Sequence, residues 1–406
     1  MSLIASLGIP VAGKVAPFLL GDLAISEPAR GHPAPFDIPT QRDVNRLLPP
    51  WRLISGLTQK LVLLSGNIAV AWAGSELAAR LVIKDLQQRA SGPHFDDDAL
   101  FRYLHDSEYF DRELRTLGLS LLGLVLRPGG RVIRFAWDRE HGQIPRLFPP
   151  IAHDDIFGEV YAAGSGSGDL LQRLKQGLQV VSADAGDAAR RQASHLLMQS
   201  LVGLLLSEQV RSGFGIDSYW GGGLELIGVV DGELRKIGGV TYLSLDLLHL
   251  ENKLVFNLPA MKVDYDGDLL MVSSLREVGL AEPERLGLPP TAEKVLFVLT
   301  PVRADAPAIS RETIREPSLQ SRVTVFSVHL PQVKGAPARV LVHQSAPEGP
   351  PAFTFNEATG ELALQEGAAE RIRRLTEALR NTPRRCRGAA GVAVRAEGRS
   401  PQARAE

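Results

Sequence analysis

The chain is poor in several of the features that carry chemistry. Its 406 residues include one cysteine, Cys386. A single thiol forms no intramolecular disulfide framework, and it excludes every all-cysteine metal site. Neither sign of charge dominates, with 45 Lys and Arg against 46 Asp and Glu. The basic face of a general nucleic-acid binder is therefore missing. No run approaches the roughly 18 uninterrupted apolar residues of a membrane helix. The longest apolar stretches, 117–126 and 201–206, sit among polar neighbours. The first twenty residues are apolar, but they lack the basic start of a signal peptide and Lys14 interrupts them. These absences point to a cytoplasmic protein with no nucleic-acid or membrane partner.

What is present is enough hydrophobic material, 44% of the chain, for a sizeable core. Residues 2–7 and 15–25 read as strands, and 27–50 as a Pro- and Gly-rich loop. Two apolar runs, 61–64 and 68–73, flank the turn signature Ser65-Gly66-Asn67, which predicts a hairpin. Residues 117–127 and 131–137 flank Pro128-Gly129-Gly130 in the same way. Leu77, Ala78, Leu81, Val82 and Leu86 recur at helical spacing, and 170–178 and 188–210 read as further helices. Strands return at 224–230 and 236–247. Strand pairs with helices grouped between them predict an α+β layering rather than a βαβ alternation. Short strands divided by Pro-rich loops follow from about residue 248, with a helix at 367–379 and an arginine-rich tail from 382 that reads as disordered.

Five local patterns, in order, carry a resemblance. They are Ser2-Leu3-Ile4-Ala5-Ser6-Leu7, Gly21-Asp22-Leu23-Ala24-Ile25-Ser26, Lys60 to Leu64 followed by Ile68 to Ser75, Gly164-Ser165-Gly166-Ser167, and Asp217-Ser218-Tyr219-Trp220-Gly221-Gly222. Together, residues 2–245 resemble the proteasome β-subunits and the N-terminal-nucleophile (Ntn) hydrolases, a threonine-type protease family. The resemblance implies an Ntn-hydrolase-like four-layer αββα sandwich over residues 1–247. A small β-rich extension of unknown role would occupy 248–381, and the tail 382–406. It also implies a hydrolase or peptidase acting on a peptide or amide substrate, the prospect of a homo-oligomer, and no cofactor or metal. Its catalytic set would be Ser2, Asp22, Lys60, Ser165 and Asp217.

The chemistry of those residue types agrees. A hydroxyl nucleophile at a chain terminus needs no histidine, because its own α-amine serves as the base. That amine has a reference pKa of about 7.7–8.0, well placed for proton transfer at working pH. A buried lysine beside it favours the neutral amine and the deprotonated hydroxyl, and an aspartate orients the lysine. Ser2, after removal of Met1, with Lys60 and Asp22 would fill these roles. The resemblance assigns Ser165 and Asp217 to support of the terminal amine, and an oxyanion-binding N–H to the Ala73-Gly74-Ser75 turn. Trp220 stands where the active family has serine. That substitution and the surplus length favour the alternative, a catalytically inactive proteasome-like binding or assembly protein.

Other clusters read more simply. Gly164 to Gly168 fails the dinucleotide pattern at Asp169, whose charge would repel a pyrophosphate. His94, Asp96, Asp97, Asp98, His105 and Asp106 read as an acidic helix start in a chain rich in strands. Asp264 to Asp268 lacks the closing glutamate of a calcium loop and reads as an Asp-Gly hairpin turn.

Overall fold

The structure is a computed structural model. It describes residues 2–11, 14–29, 34–91, 96–105, 117–139, 146–147, 149–175, 187–248, 253–277, 292–302, 314–329, 338–345 and 349–380. Met1, His94, Asp106 and the arginine-rich tail with Cys386 lie outside the described residues.

Three large sheets make the frame. The first has the order β10 (Ala152–Asp154), β11 (Gly158–Ala163), β1 (Ile4–Val11), β2 (Lys14–Asp22), β12 (Leu224–Val230) and β13 (Glu233–Lys236). The second runs β5 (Leu61–Ser65), β6 (Ile68–Gly74), β7 (Leu119–Leu126), β8 (Val132–Arg139) and β9 (Arg146–Leu147). Its two leading hairpins turn at Gly66-Asn67 and at Pro128-Gly129-Gly130, where the turn residues predict them. A separate ribbon pairs β3 (Ala24–Pro28) with β4 (Arg52–Leu57).

Alternation along each strand decides what the first two sheets touch. Ile4, Leu19 and Ile227 of the first sheet meet Leu61, Ala71, Leu122 and Leu124 of the second in a buried interface. The far side of the second sheet, with Trp72, Phe135 and Trp137, is covered by α1 (Glu76–Ala90) and α2 (Asp97–His105). Ser75 caps α1 by accepting a hydrogen bond from the Ala78 N–H at 3.3 Å. Asp96 accepts from the Ala99 N–H at 2.9 Å, so it caps α2, in keeping with an acidic helix start.

On the far side of the first sheet, Leu3, Ala5, Leu7, Phe18 and Leu20 pack on α3 (Ser167–Lys175) and the 26-residue α4 (Asp187–Ser212). Helix α4 buries Leu197, Met198, Leu201, Val202, Leu204 and Leu205. Leucines so distributed leave no solvent face over its middle turns, and such a helix must be covered from two sides. The second cover is the third sheet.

That sheet runs β17 (Ala292–Leu299), β16 (Leu269–Glu277), β15 (Lys253–Asp266), β14 (Val240–Leu248), β18 (Val323–His329) and β19 (Arg339–Gln344). All its pairings are antiparallel except β14 with β18. Tyr242, Met261, Val263, Val272 and Val325 extend the α4 core. By the same alternation, Leu243, Leu245 and Leu247 of β14 point to the other face of the sheet. There they meet Phe326, Val328, the ribbon of β20 (Phe353–Asn356) and β21 (Glu361–Leu364), and α5 (Glu366–Arg380). Asp266 and Leu269 bracket a two-residue turn at Gly267-Asp268, as expected for a hairpin, and Asp264 is ion-paired with Lys262.

The four-layer αββα sandwich inferred from the resemblance is not the fold. Strand makes up 48% of the structure and helix 23%, in several antiparallel sheets, with five helices among the described residues. The physical reason lies in α4: the layer it forms is covered by a six-stranded sheet and does not face water. That sheet begins at Val240, and a break placed at 247 divides the β14–β15 hairpin. Among the described residues, no helix is long and apolar enough to cross a membrane.

Candidate functional site

Three separated segments meet at one end of the first sheet: the residues before β1, the end of β2, and the residue before β5. Asp22 terminates β2, and its carboxylate is fully buried. Oδ1 accepts from the Leu3 N–H at 2.8 Å and from Lys60 Nζ at 2.5 Å. Oδ2 accepts from the Gly221 N–H at 2.8 Å. Lys60 is 1% exposed, and Nζ also donates to the Ala24 carbonyl at 2.6 Å. Burial pulls the Lys60 ammonium below its ordinary pKa, and the Asp22 carboxylate opposes that pull. An amine so placed gives up its proton more readily than a surface lysine.

Ser2 is 2% exposed and directly precedes the Leu3 N–H that Asp22 holds. Its carbonyl accepts from the Gly166 N–H at 3.1 Å. Gly164 makes this approach feasible. Its φ is +89°, and a Cβ there would lie 2.1 Å from the Ser2 carbonyl oxygen. The glycine turn thus serves as a backbone cradle for Ser2.

The remaining residues implied by the resemblance are placed differently. Ser165, half-buried, donates its hydroxyl to the Ser218 carbonyl. Asp217 is exposed and accepts from the neighbouring Ser218 N–H at 3.0 Å. Among the described residues, no hydrogen bond joins Asp217 to the Asp22–Lys60 pair. The Ser75 N–H is bonded to the Gly118 carbonyl at 2.9 Å, so in this conformation it is not free for an oxyanion.

Trp220 is fully buried on the helix side of the first sheet, in the same cluster as Leu3. Its indole N–H donates to Asp169 Oδ2 at 2.7 Å, and the ring meets Phe214 edge-on at 5.7 Å. The indole lies against Gly166 and Gly215, where added Cβ atoms would fall within 2.7 and 2.2 Å of it. Trp220 is thus a packing residue tied to the first turn of α3.

One participant escapes sequence reasoning. Glu225, fully buried in β12, accepts from the backbone N–H groups of Lys60 at 2.6 Å and Leu61 at 3.2 Å. Burial pushes its pKa up to about 7, against the pull of Lys236 and those N–H donors. The available signal was a glutamate inside the apolar run Leu224-Glu225-Leu226-Ile227. Among the described residues, no group of three or more His, Cys, Asp or Glu side chains is arranged to hold a metal ion. A scan against protein-family models finds no match, and a search of curated proteins finds none either.

Proposed function

We propose that the chain is an N-terminal-nucleophile amidohydrolase or peptidase that cleaves an amide bond with Ser2 once Met1 is removed. The observation that carries this reading is the buried Asp22–Lys60 pair, bonded through Asp22 to the Leu3 N–H beside Ser2. In the proposed reaction Ser2 Oγ attacks the amide carbonyl carbon while its proton passes to the α-amine of Ser2. The C–N bond then breaks, the leaving amine takes that proton, and an acyl ester remains on Ser2. Water attacks the ester, giving its proton to the α-amine, and the acid departs as the hydroxyl is restored. Lys60 favours the deprotonated hydroxyl electrostatically, and Asp22 fixes the lysine. The scheme needs no cofactor, and its substrate class is a peptide or other amide.

A second reading, a non-catalytic binding or assembly protein, is favoured by the burial of Trp220 where the family has serine and by the exposure of Asp217. One experiment separates the two. The purified chain is treated with a β-lactone probe and its intact mass and peptide masses are measured. The hydrolase reading expects loss of Met1 and a single adduct on Ser2 that Ser2→Ala abolishes. A folded protein that has lost Met1 and stays unmodified overturns it.

A further inference from the structure

Glu225 belongs to a chain of polar contacts that leaves the Asp22–Lys60 pair and ends in the third sheet. Its Oε1 holds the backbone at the point where Lys60 leads into β5. Its Oε2 accepts from the Tyr265 hydroxyl, on β15, at 3.5 Å. Lys236 Nζ lies 5.2 Å from the centre of the Tyr265 ring and donates to Gln59 Oε1. The Gln59 carboxamide nitrogen donates in turn to the carbonyls of Asp268 at 2.8 Å and Leu299 at 2.6 Å, both in the third sheet or its hairpin turn. Residues 59 and 60 are therefore clamped from two directions, Gln59 through its side chain and Lys60 through its backbone. Among the described residues, Glu225 accepts two backbone N–H bonds and one long hydroxyl contact, and a buried carboxylate is a costly way to secure a strand. A glutamine would secure it without charge.

We propose that Glu225 is a positioning residue for Lys60, and that the third sheet holds Glu225 in place through Tyr265. The inference rests on the reading of Lys60 as the group that favours the deprotonated Ser2 hydroxyl electrostatically. Around it the charged and titratable groups are Asp22 on β2, Glu76 at the start of α1, Lys236 on β13, Tyr265 on β15 and Tyr242 on β14. Of these, Asp22 touches the Lys60 amine; Glu225 acts on it through the backbone and through its charge. An ionised Glu225 favours the protonated amine, so its loss moves the Lys60 titration to lower pH.

The test uses the full chain with lysine labelled for NMR, the Lys60 signal being assigned from Lys60→Arg. Three variants are compared with the wild type: Glu225→Ala, Glu225→Gln and Tyr265→Phe. Glu225→Gln keeps an acceptor for the two N–H groups and drops the charge. It is expected to retain the Lys60 chemical shift environment while lowering the pH midpoint of its amine. Glu225→Ala is expected to disturb both, and to slow β-lactone labelling of Ser2 by roughly 10-fold or more, as small misplacements at reacting groups do. The glutamine variant should recover most of that rate, with its pH profile moved in the same direction as the Lys60 midpoint. Tyr265→Phe should disturb the Lys60 signal from the third sheet. If folded Glu225→Ala or Glu225→Gln leaves the Lys60 titration unchanged, the proposal is overturned. If Glu225→Ala does not fold, the glutamine variant decides on the same criterion. An unlabelled wild type counts against the hydrolase reading, whereas the Lys60 titration still decides the role of Glu225.

Discussion

Two buried groups should give this protein opposite pH dependences in the same window. His329, 2% exposed at the end of β18, has its pKa pushed down from 6.5 to about 4 by burial and by the nearby Arg211. Arg211 can only donate, and its guanidinium meets His329 Nδ1 at 3.1 Å, so the neutral ring carries its proton on Nε2. Between pH 4 and 6.5 the unfolded chain binds more protons at this residue than the folded one, so stability falls as pH falls. Glu225 behaves in the reverse sense: its pKa rises from 4.5 to about 7, and the folded chain binds the extra proton. Its contribution is complete below pH 4.5 and is lost as pH rises through 7. Each window spans roughly 2.5 pH units, which at about 1.4 kcal/mol per unit gives about 3 kcal/mol for each group. In the wild type the two slopes oppose one another between pH 4.5 and 6.5. His329→Asn keeps an acceptor near Nδ1 and removes the titration. The variant should therefore lose about 3 kcal/mol relative to wild type on going from pH 4 to pH 7. Glu225→Gln should gain about as much over the same range, again relative to wild type. Urea unfolding at half-unit steps from pH 4 to 8 measures both difference curves, in which every unrelated group cancels. A flat difference curve for either variant refutes the reasoning for that residue.

Removing one partner of the buried Asp22–Lys60 pair should cost about 3–5 kcal/mol, as an uncompensated charge is left inside. The double variant Asp22→Asn with Lys60→Met should cost clearly less than the sum of the two singles, which a double-mutant cycle by urea unfolding reads directly. Gly164→Ala places a methyl group on the Ser2 carbonyl at a positive φ and should destabilise by at least about 1–3 kcal/mol, seen as a lowered thermal midpoint. Trp220→Phe removes the bond to Asp169 while retaining a ring, for about 1–2 kcal/mol, whereas Trp220→Ala should cost about 3–5 kcal/mol. Equal losses for the two Trp220 variants would contradict the packing role.

The local elements were largely legible, and their assembly was not. The hairpins at Gly66-Asn67 and Pro128-Gly129-Gly130 and the helices α1, α4 and α5 follow from turn residues and periodicity, because both signals are local. Pro259 and the buried Lys262 concealed most of the 14-residue β15, which reads from sequence only as one of the short strands after residue 248. The leucines of α4 announce burial without saying what lies on the second side, so the third sheet was mistaken for a small addition. Asp22 and Lys60 are 38 residues apart and share no periodic pattern; only the family-like motifs around them linked the two. Glu225 stayed hidden because a single charge in a strand reads as an outward-facing edge residue unless both faces are known to be covered.

The position of α4 between two sheets bears on how the chain comes apart. A helix whose opposite sides are claimed by the first and third sheets transmits the loss of either to the other, since unpacking one leaves bare leucines that weaken the remaining contact. Ser327 adds to the linkage by donating from the third sheet to the Gly203 carbonyl within the helix at 2.9 Å. The amino-terminal and carboxy-terminal halves are thus expected to melt in one transition rather than two. The surplus length is, in that sense, the outer wall of a shared interior, and a chain cut near residue 247 would expose the helix on which its own first sheet depends.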